Sequence, residues 1–246
     1  MIVRQTHCAA ASLAVAAAMI SGCTMAVSGS AAIEGTPDVR IGRNIADVLP
    51  SSDELSTALG IAIETEDFPP TVGGAQVLGT GADYSGDAAC VGVVKEAPFG
   101  AYGSLPIWAV ATSSWDSEGF MPPNVFIDVA AVALRSDTAA RDAVTAFGHQ
   151  WQQCQDADLR VVDAAGSGHD LAYRVTAVDT EPAQLTADVE FRTMLAGDAT
   201  IKRVVVVGAN CIVDVSVTYY RDDGPAVSED LADKVAQLTL RRIAAA

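Results

Sequence analysis

The stretch Gly166-Ser167-Gly168-His169-Asp170 sets a hydroxyl, an imidazole and a carboxylate side by side, the three groups of acyl-transfer chemistry. A catalytic triad needs them delivered from separate elements so that they converge, which neighbours along a glycine-rich turn cannot do. A G-x-S-x-G elbow is also absent, so the stretch reads as a loop. His149 is the other histidine beyond the N-terminal segment. With scattered cysteines and neither C-x-x-C nor H-E-x-x-H, the histidines do not make a zinc site. Asp128 and Asp188 could flank a glycosidic bond, though an acidic chain offers many such pairs. Nothing resembles a phosphate-binding loop, a dinucleotide fingerprint or a D-x-D-x-D-G calcium loop. The expectation is no catalytic residue, no metal and no cofactor. Binding chemistry is better represented. Trp108, Trp115 and Phe120, with Phe99 and Tyr102 nearby, stand in a Gly- and Pro-punctuated region, and aromatics on loops suit sugar or lipid faces. The alternative is that Trp108 belongs to a strand and the core while Trp115 and Phe120 pin a loop.

A second chemistry lies at the N-terminus. Residues 1–7 carry one cation, Arg4, and no acid; residues 8–20 are an apolar run, interrupted only by Ser12, of signal-peptide length, too short to span a bilayer, which takes about 20 residues. Ile20-Ser21-Gly22-Cys23 then resembles the bacterial lipobox, in which small residues admit the peptidase and the thiol takes the lipid. The reading is a lipoprotein signal peptide over 1–22, a lipid-anchored tether over 23–44 rich in Ser, Ala and Gly, and one domain over 45–246. The formal charge of −16 becomes more negative when Arg4 leaves, so nucleic acid is excluded as a partner and the acids read as a solvated surface. The membrane is reached through the lipid anchor on the extracytoplasmic side.

Any such chemistry must be positioned by the domain's elements. Ser51 and Glu54 form a capping-box pattern that predicts a helix from there to about Leu59, stopped by Gly60. Residues 68–89 read as a long loop. Short β-rich runs follow at 90–94, 106–112, 124–134, 159–163, 172–179, 184–195, 201–207 and 211–219. Gly208-Ala209-Asn210 predicts a tight hairpin between the last two. Ser136 caps a helix predicted to about Gln155, whose Ala140, Val144, Phe147, Trp151 and Cys154 share a face. Ser228 is expected to cap a final helix to about Ile243, with Glu229 and Asp230 in its first turn and Arg241 and Arg242 in its last. The fold class is α+β: a twisted antiparallel sheet with a few helices packed on it in one disulfide-stapled domain.

Beyond Cys23, three cysteines remain in what would be an oxidising compartment, so one stays unpaired. Cys211 sits in a Val- and Ile-rich run as a small core residue, and Cys154, on the apolar helix face, is expected to reach Cys90. Cys90-Val91-Gly92-Val93, followed by Phe147-Gly148-His149-Gln150-Trp151-Gln152-Gln153-Cys154, resembles the extracellular sensor domain of PknH-type mycobacterial serine/threonine kinases and the lipoproteins that carry it alone. In that family the cysteine opening the domain pairs with that of W-x-x-C, which the resemblance places on Cys90 and Cys154. The segment from Arg203 through Val213-Asp214-Val215 looks like the family's final hairpin, and residues 49–60 like its first helix. The second disulfide common in the family has no counterpart here, and no kinase motif accompanies the domain. A bridge closing about 64 residues stabilises by about 4 kcal/mol on the chain-entropy argument, enough for a structural role. The resemblance implies a non-catalytic sensing or binding domain of the envelope whose ligand would be a glycan, lipid or peptide. The alternative is a protein-interaction or scaffold module bound to an envelope protein, and a cell-wall hydrolase comes third.

Overall fold

The computed structural model describes residues 41–42, 44–65, 69–79, 84–85, 87–117, 124–161, 171–193, 197–220 and 228–246. These fall within one compact unit, Thr36–Ala246. Cys23 and the tether up to residue 40, Phe120 and the Ser167–His169–Asp170 stretch lie outside the described residues.

Ten strands make one antiparallel sheet among the described residues: β1 (Ile63–Thr65), β2 (Thr71–Gly73), β3 (Tyr84–Ser85), β4 (Ile107–Ser117), β5 (Val125–Leu134), β6 (Asp158–Val161), β7 (Leu171–Glu181), β8 (Gln184–Thr193), β9 (Gly197–Gly208) and β10 (Cys211–Tyr220). Their order across the sheet is β1-β4-β5-β10-β9-β8-β7-β6-β3, with β2 beside β1 on the outer edge of β4. Five helices accompany it: α1 (Ser52–Leu59), α2 (Val91–Val94), α3 (Phe99–Tyr102), α4 (Asp137–Gln152) and α5 (Leu231–Ala245).

Alternation along the central strands sends side chains into two separate cores. Ile127, Val129, Ala131 and Ala133 of β5 join Val213, Val215 and Val217 of β10 under α1 and α5. Ala130, Val132 and Leu134, with Ile212 and Val205, instead pack beneath α2, α3 and α4. Because both faces are covered, β5 and β10 read as nearly unbroken apolar runs rather than the half-buried pattern expected of an antiparallel sheet. We call these the α5 face and the α4 face.

The caps explain where the helices start. Ser51 accepts from the Glu54 N–H at 3.3 Å, and the Glu54 carboxylate accepts from the Ser51 N–H at 2.8 Å. Gly60 ends α1 at φ +71°, a conformation open chiefly to glycine. Ser136 caps α4 through the Ala139 N–H. The last helix begins three residues after the expected cap: the Ser228 hydroxyl bonds the Asp230 side chain rather than a backbone N–H, so α5 opens at Leu231. Arg242, expected to serve the helix dipole, donates to both Glu54 carboxylate oxygens at 2.7 and 2.8 Å and so locks α5 to α1.

Two further expectations are corrected. Cys90-Val91-Gly92-Val93-Val94 is helical, not a strand: a 3-10 turn at Ala88–Cys90 leads into α2, which buries Val93 and Val94. Propensity yields there to tertiary demand, because the Val93 carbonyl accepts from a buried guanidinium. The presumed loop over 68–89 contains β2, β3 and a 3-10 turn at Ala75–Val77, elements too short to show a period in sequence.

Candidate functional site

Two polar clusters interrupt the α4 face, and the register places them together. Ser114 on β4 pairs with Asp128 on β5, Asp128 with Ser216 on β10, and Ser216 with Arg203 on β9. In an antiparallel ladder directly opposed residues share a face, so this row runs across the middle of the sheet.

At its inner end Arg203 meets Asp214 at 2.5 Å, with side chains 0% and 1% exposed. Arg203 also donates to the carbonyls of Val93, Lys95 and Val215 at 3.1–3.2 Å. The other Asp214 oxygen accepts from the Tyr102 hydroxyl at 2.8 Å and the Ala97 N–H at 2.9 Å. Ala97 stands at φ +37°, in the left-handed region that non-glycine residues visit rarely, and its N–H is aimed at that carboxylate. Burial pushes the Asp214 carboxyl up while the guanidinium pulls it down; burial first, then Asp214, raises the Tyr102 phenol well above its ordinary value. Every branch of this node ends in the α2–α3 segment or the two strands beneath it. The Cys90–Cys154 disulfide, Cα to Cα 5.5 Å, fastens the start of the same segment to the end of α4. Among the described residues Cys211 is the free cysteine, buried on the α5 face, where desolvation raises its thiol to about 12.

Toward the other end the face emerges from under the helices. Ser114 donates to Asp128 at 2.6 Å. The next row brings Asp116, Phe126 and Thr218 side by side, and the one beyond it Tyr220, Ala199, Phe191 and Tyr173. Phe126, 37% exposed, meets Tyr220 edge-on at 6.2 Å; Tyr173 and Phe191 stack at 4.8 Å. Ala199 lies buried between these aromatic pairs. The strip thus offers aromatic surface, hydroxyls and a half-buried carboxylate, the set that recognises a ligand having both apolar and polar faces.

The aromatics singled out in sequence are placed otherwise. Trp115 is a strand residue, 2% exposed, packed in the α5-face core with Ile127 and Ile63, so its ring offers no platform to a large ligand. Trp108, in the same strand, is 51% exposed with the Arg135 guanidinium 6.0 Å over its ring. Parity also separates Asp128 from Asp188: Asp128 shares the α4 face, whereas Asp188 pairs with Lys202 on the α5 face at 2.8 Å. Carboxylates on opposite faces cannot flank one bond, which removes that glycosidase pair. His149 is exposed on α4. Strand parity was the signal that could have found the strip, since Ser114, Asp116, Phe126 and Asp128 alternate with core residues along β4 and β5.

One antiparallel sheet with helices on both faces, stapled by one disulfide, makes this an α+β domain. The chain belongs to the family of PknH-like extracellular domains, which it matches over residues 42–238. The extracellular domain of PknH from Mycobacterium tuberculosis superposes with a TM-score of 0.65 at 16% identity, over 81% of this chain and 94% of that one. An uncharacterized Mycobacterium smegmatis protein, the Rv0999 ortholog, aligns at TM-score 0.41 and 14% identity over 82% of this chain and 95% of its own. No curated protein sequence matches the chain. Among the described residues no helix is long and apolar enough to cross a membrane.

Proposed function

We propose that this protein is an envelope lipoprotein, acylated at Cys23, whose extracytoplasmic domain binds a ligand without transforming it. The observation that carries the binding assignment is the strip itself: Phe126 and Tyr220 stand next to Ser114, Asp116, Asp128 and Thr218 on the part of the α4 face that the helices leave uncovered. The ligand class is an envelope glycan, lipid or peptide with one apolar face and several hydroxyl or amide groups.

The test is a thermal-shift screen of the full chain against fractionated envelope glycans, lipids and peptides, since a ligand that binds only the native state raises its apparent stability. A saturable rise from one fraction, lost in Phe126→Ala, is the expected result. Silence across all fractions would transfer the assignment to a protein-interaction module. Lipidation is checked separately by the mass of the mature N-terminal peptide, which should carry acyl chains on Cys23 and none in Cys23→Ala.

A further inference from the structure

The outer edge of β4 is covered in two pieces. β2 pairs with residues 110–112 and β1 with residues 115–117, so the registers leave a gap at Ser113 and Ser114. A depression of about 370 Å³ opens there, lined by Pro50, Ser51, Ser52, Asp53, Pro70, Ser113 and Trp115. Its volume lies within the range of small-molecule sites, about 300–1,000 Å³. Its floor is Pro50, buried, with Ser113 and Trp115, 8% and 2% exposed; Ser51, Asp53 and Pro70 form the rim. The first turn of the eight-residue α1 closes one side.

An independent observation marks this depression. The Ser113 hydroxyl is the one buried side-chain polar atom among the described residues with no hydrogen-bond partner. Buried hydroxyls are nearly always partnered, so an orphan beside an open cavity points to a partner that arrives from outside. The walls say what kind. Trp115 and two prolines supply apolar edges for C–H groups, and the Ser113 hydroxyl can both donate and accept. An anion is disfavoured although a helix N-terminus faces the cavity, because Asp53 stands on the rim and Glu54 already closes the capping box. A cation finds a single lining carboxylate. We propose that this depression, on the α5 face and separate from the strip, binds one neutral polyhydroxy ring such as a terminal sugar unit, with Ser113 as its buried hydrogen-bond partner.

The test uses methyl glycosides of common hexoses and pentoses as probes, titrated into the ¹⁵N-labelled full chain up to their solubility limit. The expected result is saturable movement of the Ser52, Asp53 and Ser113 amides and the Trp115 indole with at least one glycoside, weakened about fivefold in Ser113→Ala, as loss of one net hydrogen bond implies. Ser113→Ala breaks no intramolecular bond, so its melting temperature should equal or exceed that of the parent. Ser113→Val, which also fills the floor, should abolish the response, whereas Phe126→Ala should leave it intact and so separate this site from the strip. No saturable movement with any glycoside, or movement that Ser113→Ala leaves unchanged, overturns the proposal. Movement caused by acetate or phosphate instead of the glycosides overturns its neutral-ligand assignment.

Discussion

Asp214 and Asp128 lie on adjacent strands of the same face, and Asp128 pairs with Ser216, two residues beyond Asp214. Yet one is entombed and the other is half-buried. Asp214 has a guanidinium, a phenol and a backbone N–H, and nothing further can reach it. Asp128 accepts from the Ser114 hydroxyl and stays partly exposed. Burial with full saturation makes a polar cluster part of the scaffold, whereas partial exposure beside aromatics leaves one able to recognise a ligand. The saturated cluster holds down the α2–α3 segment on the same face of the sheet as the open one.

The comparison breaks most visibly at the ion pair. Asp214→Asn should destabilise the domain by about 3–5 kcal/mol, because it strands a buried guanidinium. Replacing both partners with apolar residues, Arg203→Met with Asp214→Leu, should recover much of that loss, since the pair repays its own desolvation only in part. Urea unfolding of the parent, the single and the double variant measures it. A single variant as stable as the parent would mean the node is not what fastens the segment.

The disulfide is the second fastening of the same segment. Cys90→Ala with Cys154→Ala should cost about 2–4 kcal/mol through the freed unfolded chain. Cys211 should remain inert throughout: with its thiol raised to about 12 by burial, iodoacetamide should label it only after denaturation. Labelling of the native parent at Cys211 would contradict its place in the core.

The sequence made the frame legible where local rules act alone. Ser51 with Glu54, Gly60 and the Gly208–Asn210 turn each announce their structure within a few residues, and β5, β7, β8 and β10 follow from their runs. What stayed hidden depends on distant partners. Val91 to Val94 has strand composition, and only Arg203, 110 residues away from Val93, requires its carbonyls in a helical turn. Trp115 reads as a loop aromatic until parity on β4 sends it into the core. Arg203 and Asp214 look like solvated charges in a valine-rich hairpin, since a one-dimensional reading cannot tell that both point beneath α2 and α3. Asn210 makes the same point: it forms the expected turn, but its buried side chain bonds Ile41 and Leu134, contacts no turn rule foresees.

On the opposite face the α1–α5 lock offers a smaller effect with a defined sign. Ser51→Ala should cost about 1 kcal/mol at neutral pH. The Glu54 carboxyl is held below its ordinary value of 4.5, chiefly by the Ser51 N–H and secondarily by the Ser51 hydroxyl and Arg242. A lowered carboxyl stabilises the fold above the unfolded value and loses that contribution as pH falls through the folded one. The part of the gap between Ser51→Ala and its parent that comes from the hydroxyl's bond to the carboxylate should therefore fade as pH drops below 4.5, and a gap constant to pH 3 would mean that the Ser51 hydroxyl does not support the carboxylate.

The smallest effect on stability should come from the strip, and that is what would separate recognition from architecture. Phe126→Ala removes an edge-on contact to Tyr220 from a residue already 37% exposed, so unfolding should shift little, within about 1 kcal/mol. Asp128→Asn keeps the shape of the side chain and can still accept from Ser114, so it too should fold normally. If the strip binds, both variants lose the ligand-induced rise in melting temperature while the unliganded value stays near the parent's. Should either variant unfold as severely as Asp214→Asn, Asp128 and Phe126 would belong to the scaffold, and the distinction between the two carboxylates would be one of depth alone.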